Sequence, residues 1–247
     1  MDPSIEGSVR QQKVGGLAAL YLAAAYVVAM PYFLAFVKYP SVEDPAEKVA
    51  LLVDHHDSMR FMYLVTYVIF GIVLAVLALA LHARLRDGAP TLTQVGTAVG
   101  LIWAVVLVAS GMIFNAGMAA VVELHSTDPA QAVSAWQAIE PVAQGLGGSG
   151  GELLGGLWVL LVSVAALRTG GLPKVLNWLG MAIGAAGVLS VMPALKDLAY
   201  GFGSLQIVWF VSLGIVMLRT TLRPADPARR AEVLEPGESI RPSATRV

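Results

Sequence analysis

Glu152 is the residue of this chain best placed to do chemistry. It stands between an uncharged, glycine-rich run, Val142–Gly151, and an apolar run, Leu153–Leu167. At ~1.5 Å per helical residue, a helix from Glu152 to Leu167 sets the acid ~22 Å from the far end of that run. An ionisable group at membrane depth is a functional candidate by default. Three other polar residues reach a similar depth from other apolar runs. Asn115 lies near the end of Gly88–Val122, Arg60 opens Phe61–Leu81, and Asp197 follows Lys196 in the turn between Val175–Leu195 and Leu198–Leu218. Arg60, Asn115, Glu152 and Asp197 are therefore the expected ligand-binding residues, a polar floor for a small molecule. Arg60 would be the bidentate partner of the Glu152 carboxylate. The same four residues also suit an ion pair that only fastens a helix bundle, because structural networks perturb charges too.

Other chemistries find no constellation. His55, His56 and His125 could approach one another, with Asp54, Asp57, Glu123 or Glu152 as oxygen ligands. Adjacent His55 and His56 would point about 100° apart on a helix, which makes one shared metal awkward, and no His-Glu-x-x-His pair occurs. Ser58 near His55 lacks the positioned base and orienting acid of a hydrolytic triad. No lysine stands inside an apolar run to form a Schiff base. With no cysteine there is no thiolate ligand or disulfide. The glycines before Glu152 lack the Gly-Lys-Ser/Thr that completes a phosphate loop. No metal and no cofactor are expected, and the balance of the sequence is against an enzyme.

The elements that must position these residues follow from composition. The chain has 247 residues, 57% of them hydrophobic and 13% charged, against about 25% charged in an average soluble domain. Mean hydropathy is +0.71. A helix crosses ~30 Å of hydrocarbon with ~20 apolar residues. Six runs meet or approach that length: Val14–Val37, Phe61–Leu81, Gly88–Val122, Leu153–Leu167 with its glycine-rich approach, Val175–Leu195 and Leu198–Leu218. They are apolar all round, without the polar face of a surface helix. The first run is too long for the h-region of a signal peptide and reads as a retained span. The expected fold is all-α, an integral membrane bundle of six transmembrane helices with two short outer-loop helices. The expected division is a 1–13 cytoplasmic segment, a 14–219 membrane domain and a 220–247 flexible cytoplasmic tail.

Lys and Arg give the orientation. Of 16 such residues, four (Lys38, Lys48, Arg60 and Lys196) fall on one side of a six-span arrangement and the rest on the other. Both termini are then cytoplasmic. A net charge of -1 gives no basic footprint for nucleic acid. Both long outer loops open alike, Asp44-Pro45-Ala46-Glu47 and Asp128-Pro129-Ala130-Gln131. Asp suits the N-cap, Pro the first helical position, and Glu or Gln three residues later completes a capping box. Short helices are predicted over 45–56 and 129–140. Glycines four apart at Gly96/Gly100, Gly151/Gly155 and Gly180/Gly184 permit close helix approach, and Asn177, Ser163 and Gln206 suit interhelical hydrogen bonds.

Gly156-Leu157-Trp158, then Arg168-Thr169-Gly170-Gly171-Leu172-Pro173-Lys174, then Leu179-Gly180 form a recurring pattern. It resembles a bacterial six-span membrane family catalogued as domain of unknown function 4386. In that family a Gly-Leu-Trp fourth span, a short inner loop with Gly-x-x-Pro and a fifth span beginning with Leu-Gly recur. Arg60 in Met59-Arg60-Phe61 is similar to the family's opening of the second span. Here Asn177-Trp178 precedes Leu179-Gly180, a local departure. The resemblance implies the fold and a bacterial plasma-membrane setting, but no reaction. The expectation is a non-enzymatic multi-pass protein that binds a lipid-like or small apolar molecule in an outward-facing cavity. The alternatives are an accessory subunit of a membrane protein partner and an intramembrane metal-dependent hydrolase.

Overall fold

A computed structural model describes residues 3–147 and 152–219. The expected flexible tail at 220–247, and Gly148, Gly150 and Gly151 of the glycine-rich run, lie outside the described residues. Among the described residues there is no strand. The helices are α1 (Pro3–Pro31), α2 (Pro45–Asp54), α3 (His56–Tyr63), α4 (Phe70–Leu85), α5 (Pro90–His125), α6 (Pro129–Gly147), α7 (Glu152–Thr169), α8 (Lys174–Leu189) and α9 (Leu198–Arg219). Two π-helical segments extend them, Tyr32–Phe36 after α1 and Leu64–Ile69 between α3 and α4.

Five of the described helical stretches are long and apolar enough to cross a membrane. They are Glu6–Phe36, His56–Leu85, Pro90–His125, one ending at Thr169, and Leu198–Arg219. Lys174–Leu189 is apolar but shorter. The protein is an all-α membrane bundle. Its long helices close a ring, in which α1 packs on α4, α4 on α5, α5 on α7, α7 on α8, α8 on α9, and α9 back on α1.

The helix starts follow the capping chemistry. The Asp44 carboxylate accepts from the Ala46 and Glu47 amides at 2.8 and 2.9 Å, and Asp128 accepts from the Gln131 amide at 3.0 Å. Two boundaries differ from the predicted ones. The first short helix ends at Asp54, where His55 leaves helical geometry with φ −114°, and α3 starts at once. The second continues through Pro141 to Gly147. Proline removes one helical donor, but α6 lies along α5 with Trp136, Ala143 and Gly147 buried. Burial outweighs the lost bond. Ser110 Oγ on α5 also donates to the Ala143 carbonyl at 2.7 Å. Thr169 ends α7, and Gly170 follows with φ +64°, the left-handed turn glycine adopts without penalty. Asn177 bonds locally rather than across helices, donating to the Leu172 carbonyl at 3.2 Å.

One half of the ring is solid. Leu74, Leu77, Trp158, Trp209, Phe210 and Leu213 are each at most 1% exposed, and Trp158 meets Trp209 edge-on at 5.8 Å. A second core, with Val49, Leu52, Met59, Phe114 and Trp136, joins α2, α3, α5 and α6 at the other end. The space between these two cores holds the site.

Candidate functional site

Aromatic residues at helical spacing build the site. Tyr63, Tyr67 and Phe70 stand three or four apart along α3, the second π segment and the start of α4. Such spacing puts side chains on one helix face. Tyr26 and Phe33 do the same along α1 and the first π segment. The two stripes face α5 and line a partly open cavity of about 380 Å³, near the lower end of the ~300–1,000 Å³ of small-molecule sites. Tyr63 stacks on Phe114 with centroids 4.3 Å apart and planes 14° apart. Phe33 sits 5.2 Å from Tyr63, and Tyr26 meets Phe70 edge-on at 5.5 Å. Ala25, Ala29 and Leu107 widen the space between rings.

Both π segments line this cavity, through Phe33 and Leu34 in the first and Thr66 and Tyr67 in the second. A π turn is rare and concentrates at functional sites. Its wider winding is visible in the Val37 amide, which reaches back five residues to the Tyr32 carbonyl at 2.9 Å. In the second segment, the Tyr21 hydroxyl on α1 donates to the Val65 carbonyl at 2.9 Å, which ties the two walls together.

A polar network fastens the end of the cavity. Glu140 on α6 accepts from Lys48 Nζ on α2 at 3.1 Å and from the Tyr39 hydroxyl at 3.0 Å. Gln144, one turn on, donates to the same carboxylate at 3.1 Å. Trp136 Nε1 donates to the Tyr39 hydroxyl at 2.7 Å, and Lys48 lies over the Tyr39 ring, 5.3 Å from its centroid. Burial, reinforced by the Glu140 carboxylate, pushes the Tyr39 phenol well above its ordinary value. It stays a neutral donor. Tyr39 and Gln144 also line the cavity, so this network forms part of its wall.

Glu152 begins α7 and lines the same cavity. Its Oε2 is buried and, among the described residues, has no hydrogen-bond partner. The other three expected site residues lie off the lining. Arg60 is exposed on α3, and Asp197 is exposed in the turn before α9. Asn115 is partly buried on α5, with Oδ1 unpartnered. The ion pairs among the described residues are Lys48–Glu140 and Arg86–Asp87, and His56 Nδ1 lies 3.2 Å from the Asp57 carboxylate. Ser58 bonds to Tyr32 at 2.7 Å and to the His55 carbonyl at 3.0 Å rather than to an imidazole. Among the described residues no group of three His, Asp or Glu is placed to hold a metal.

Sequence reasoning missed the ring residues and the Glu140 network. A signal existed for the rings, since Tyr63, Tyr67 and Phe70 share a helical face in an uncharged run. For Glu140 there was none, because its partners Lys48 and Tyr39 lie 92 and 101 residues away. The finished arrangement can enclose a small amphipathic molecule, with rings around it and one carboxylate at its side. Among the described residues it pairs no nucleophile with a base.

The chain matches the family described as Domain of unknown function (DUF4386) over residues 16–222. No curated protein and no solved structure matches it.

Proposed function

Because the chain belongs to the family described as Domain of unknown function (DUF4386), which names no reaction, we propose its function from the cavity: it is a non-enzymatic six-span membrane protein that binds a small amphipathic molecule between its aromatic walls. The observation that carries this reading is the cavity itself. It leaves about 380 Å³ open between two close-packed cores. In a bundle that elsewhere packs tryptophan on tryptophan, this opening between rings is the space with the size of a small-molecule site. On the Lys and Arg distribution, the cavity end faces away from the cytoplasm, and the shorter helix α8 is the fifth of six spans.

Filling the space tests the reading. Ala29 lines the cavity from α1 and is partly buried. The wild-type protein, extracted gently from its native membrane and weighed intact, should carry a bound small molecule. Ala29→Trp should carry at most about a tenth of it, because a large ring occupies the site, while unfolding at a similar temperature. A bare wild-type protein would overturn the reading. A protein partner retained at fixed stoichiometry, with no small molecule, would replace it with an accessory-subunit role.

A further inference from the structure

We infer that the cavity selects an organic cation, an amine or quaternary ammonium group carrying an apolar substituent, with Glu152 as its counter-charge and the surrounding rings as its cage. The inference rests on the small-molecule reading above and deepens it.

Charge complementarity is the first argument. The described lining contains one acid, Glu152, and no Lys, Arg or His. The contrast with Glu140 is instructive. Both carboxylates are largely enclosed at the same end of the bundle. Glu140 has its own cation, Lys48 at 3.1 Å. Glu152 has none, and its buried Oε2 lacks any hydrogen-bond partner among the described residues. A half-buried carboxylate with one oxygen unpartnered is costly to ionise without a counter-charge. A ligand that brings the missing charge removes that cost, and a neutral ligand leaves it in place.

Ring geometry is the second argument. The faces of Tyr and Phe attract a cation within ~6 Å, and aromatic cages are the usual receptors for quaternary ammonium groups. Tyr26, Phe33, Tyr63, Tyr67 and Phe114 all line the cavity. Glu152 lines the same cavity as Tyr26 and Tyr67, so acid and rings share one space. Ligand type is the third argument. A calcium ion takes ~6–8 oxygen ligands, and magnesium needs near-octahedral geometry. One carboxylate among aromatic rings supplies neither. It suits a soft, weakly hydrated organic cation.

The probes are benzyltrimethylammonium and its neutral isostere neopentylbenzene, titrated into the full chain in lipid nanodiscs against empty nanodiscs. The wild type should bind the cation about tenfold more tightly than the isostere or better. Glu152→Gln should lose most of that preference, with its affinity for neopentylbenzene unchanged, which also shows that the cavity is intact. Tyr67→Leu leaves the acid and removes a ring. It should weaken the cation several-fold and the isostere less. Equal binding of both probes by the wild type would overturn the cation inference and leave the small-molecule reading standing. A cation preference undiminished by Glu152→Gln would overturn the assignment to Glu152. Binding of neither probe would overturn the inference together with the reading on which it rests.

Discussion

Glu140→Ala is expected to cost ~3–5 kcal/mol of stability and to loosen the whole end of the bundle above the cavity. The carboxylate is 12% exposed and accepts from Lys48, Tyr39 and Gln144. Removing it strands an ammonium that is 24% exposed and a phenol held between Trp136 and nothing. Unpaired groups of this kind, more than the lost bonds themselves, set the size of the effect. Thermal unfolding in detergent reads the loss, and hydrogen exchange over 39–48 should rise with it. The double variant Lys48→Met/Glu140→Leu should recover most of the stability, because two apolar groups of similar shape leave no stranded charge. A double variant as unstable as Glu140→Ala would show that the bonds of the network themselves, rather than the stranding of a charge, set the loss.

Gly184→Val should be at least as damaging, by ~3 kcal/mol or more. Here α7 and α8 approach backbone to backbone. A Cβ at Gly184 would lie 2.6 Å from the Gly156 carbonyl oxygen and 2.9 Å from the Leu160 amide. A Cβ at Gly156 would in turn meet the Gly184 carbonyl and the Val188 amide, each at 2.7 Å. No side-chain rotation relieves a clash with backbone, so the helices must separate along their contact. Loss of a monodisperse peak on size exclusion, or a melting temperature lowered by many degrees, reads this outcome. Gly201→Ala provides the control, since nothing lies within 4 Å of its added carbon. Gly96→Ala should be tolerated as well. Its nearest neighbour, Leu161 Cβ, is 3.4 Å away and sits on a side chain. Glycines spaced alike in sequence thus differ sharply in consequence.

The difference between those glycines shows where sequence is informative. Apolar run length is a local property and found the long helices, because crossing hydrocarbon constrains each segment alone. The caps at Asp44 and Asp128 were legible for the same reason, since donor and acceptor are two or three residues apart. For the site, sequence speaks only to depth. Distance along a run places Glu152, Asn115, Arg60 and Asp197 at a similar level, but it leaves the direction each faces open. Direction depends on which helices are neighbours, and that follows from packing such as the Gly156–Gly184 approach. The structure brings Glu152 to the cavity and leaves Arg60 and Asp197 exposed at its end of the bundle. It also unites Tyr39, Lys48 and Glu140, which no spacing rule connects.

The π segment Leu64–Ile69 carries a consequence for insertions and deletions. In an ordinary membrane helix, losing one residue turns everything beyond it by ~100°. Every apolar face then points the wrong way. A π turn already holds one residue more than an α turn of the same span. Deleting one residue within 64–69 therefore lets the segment rewind as α-helix while Met59 and Leu74, on either side, keep their present faces. Deletion of Val68 should leave a folded protein with a reshaped cavity wall, whereas deletion of Ala75, inside α4, should abolish folding. Comparing the two by size exclusion would show a chain in which the place of a missing residue matters more than the fact that one is missing.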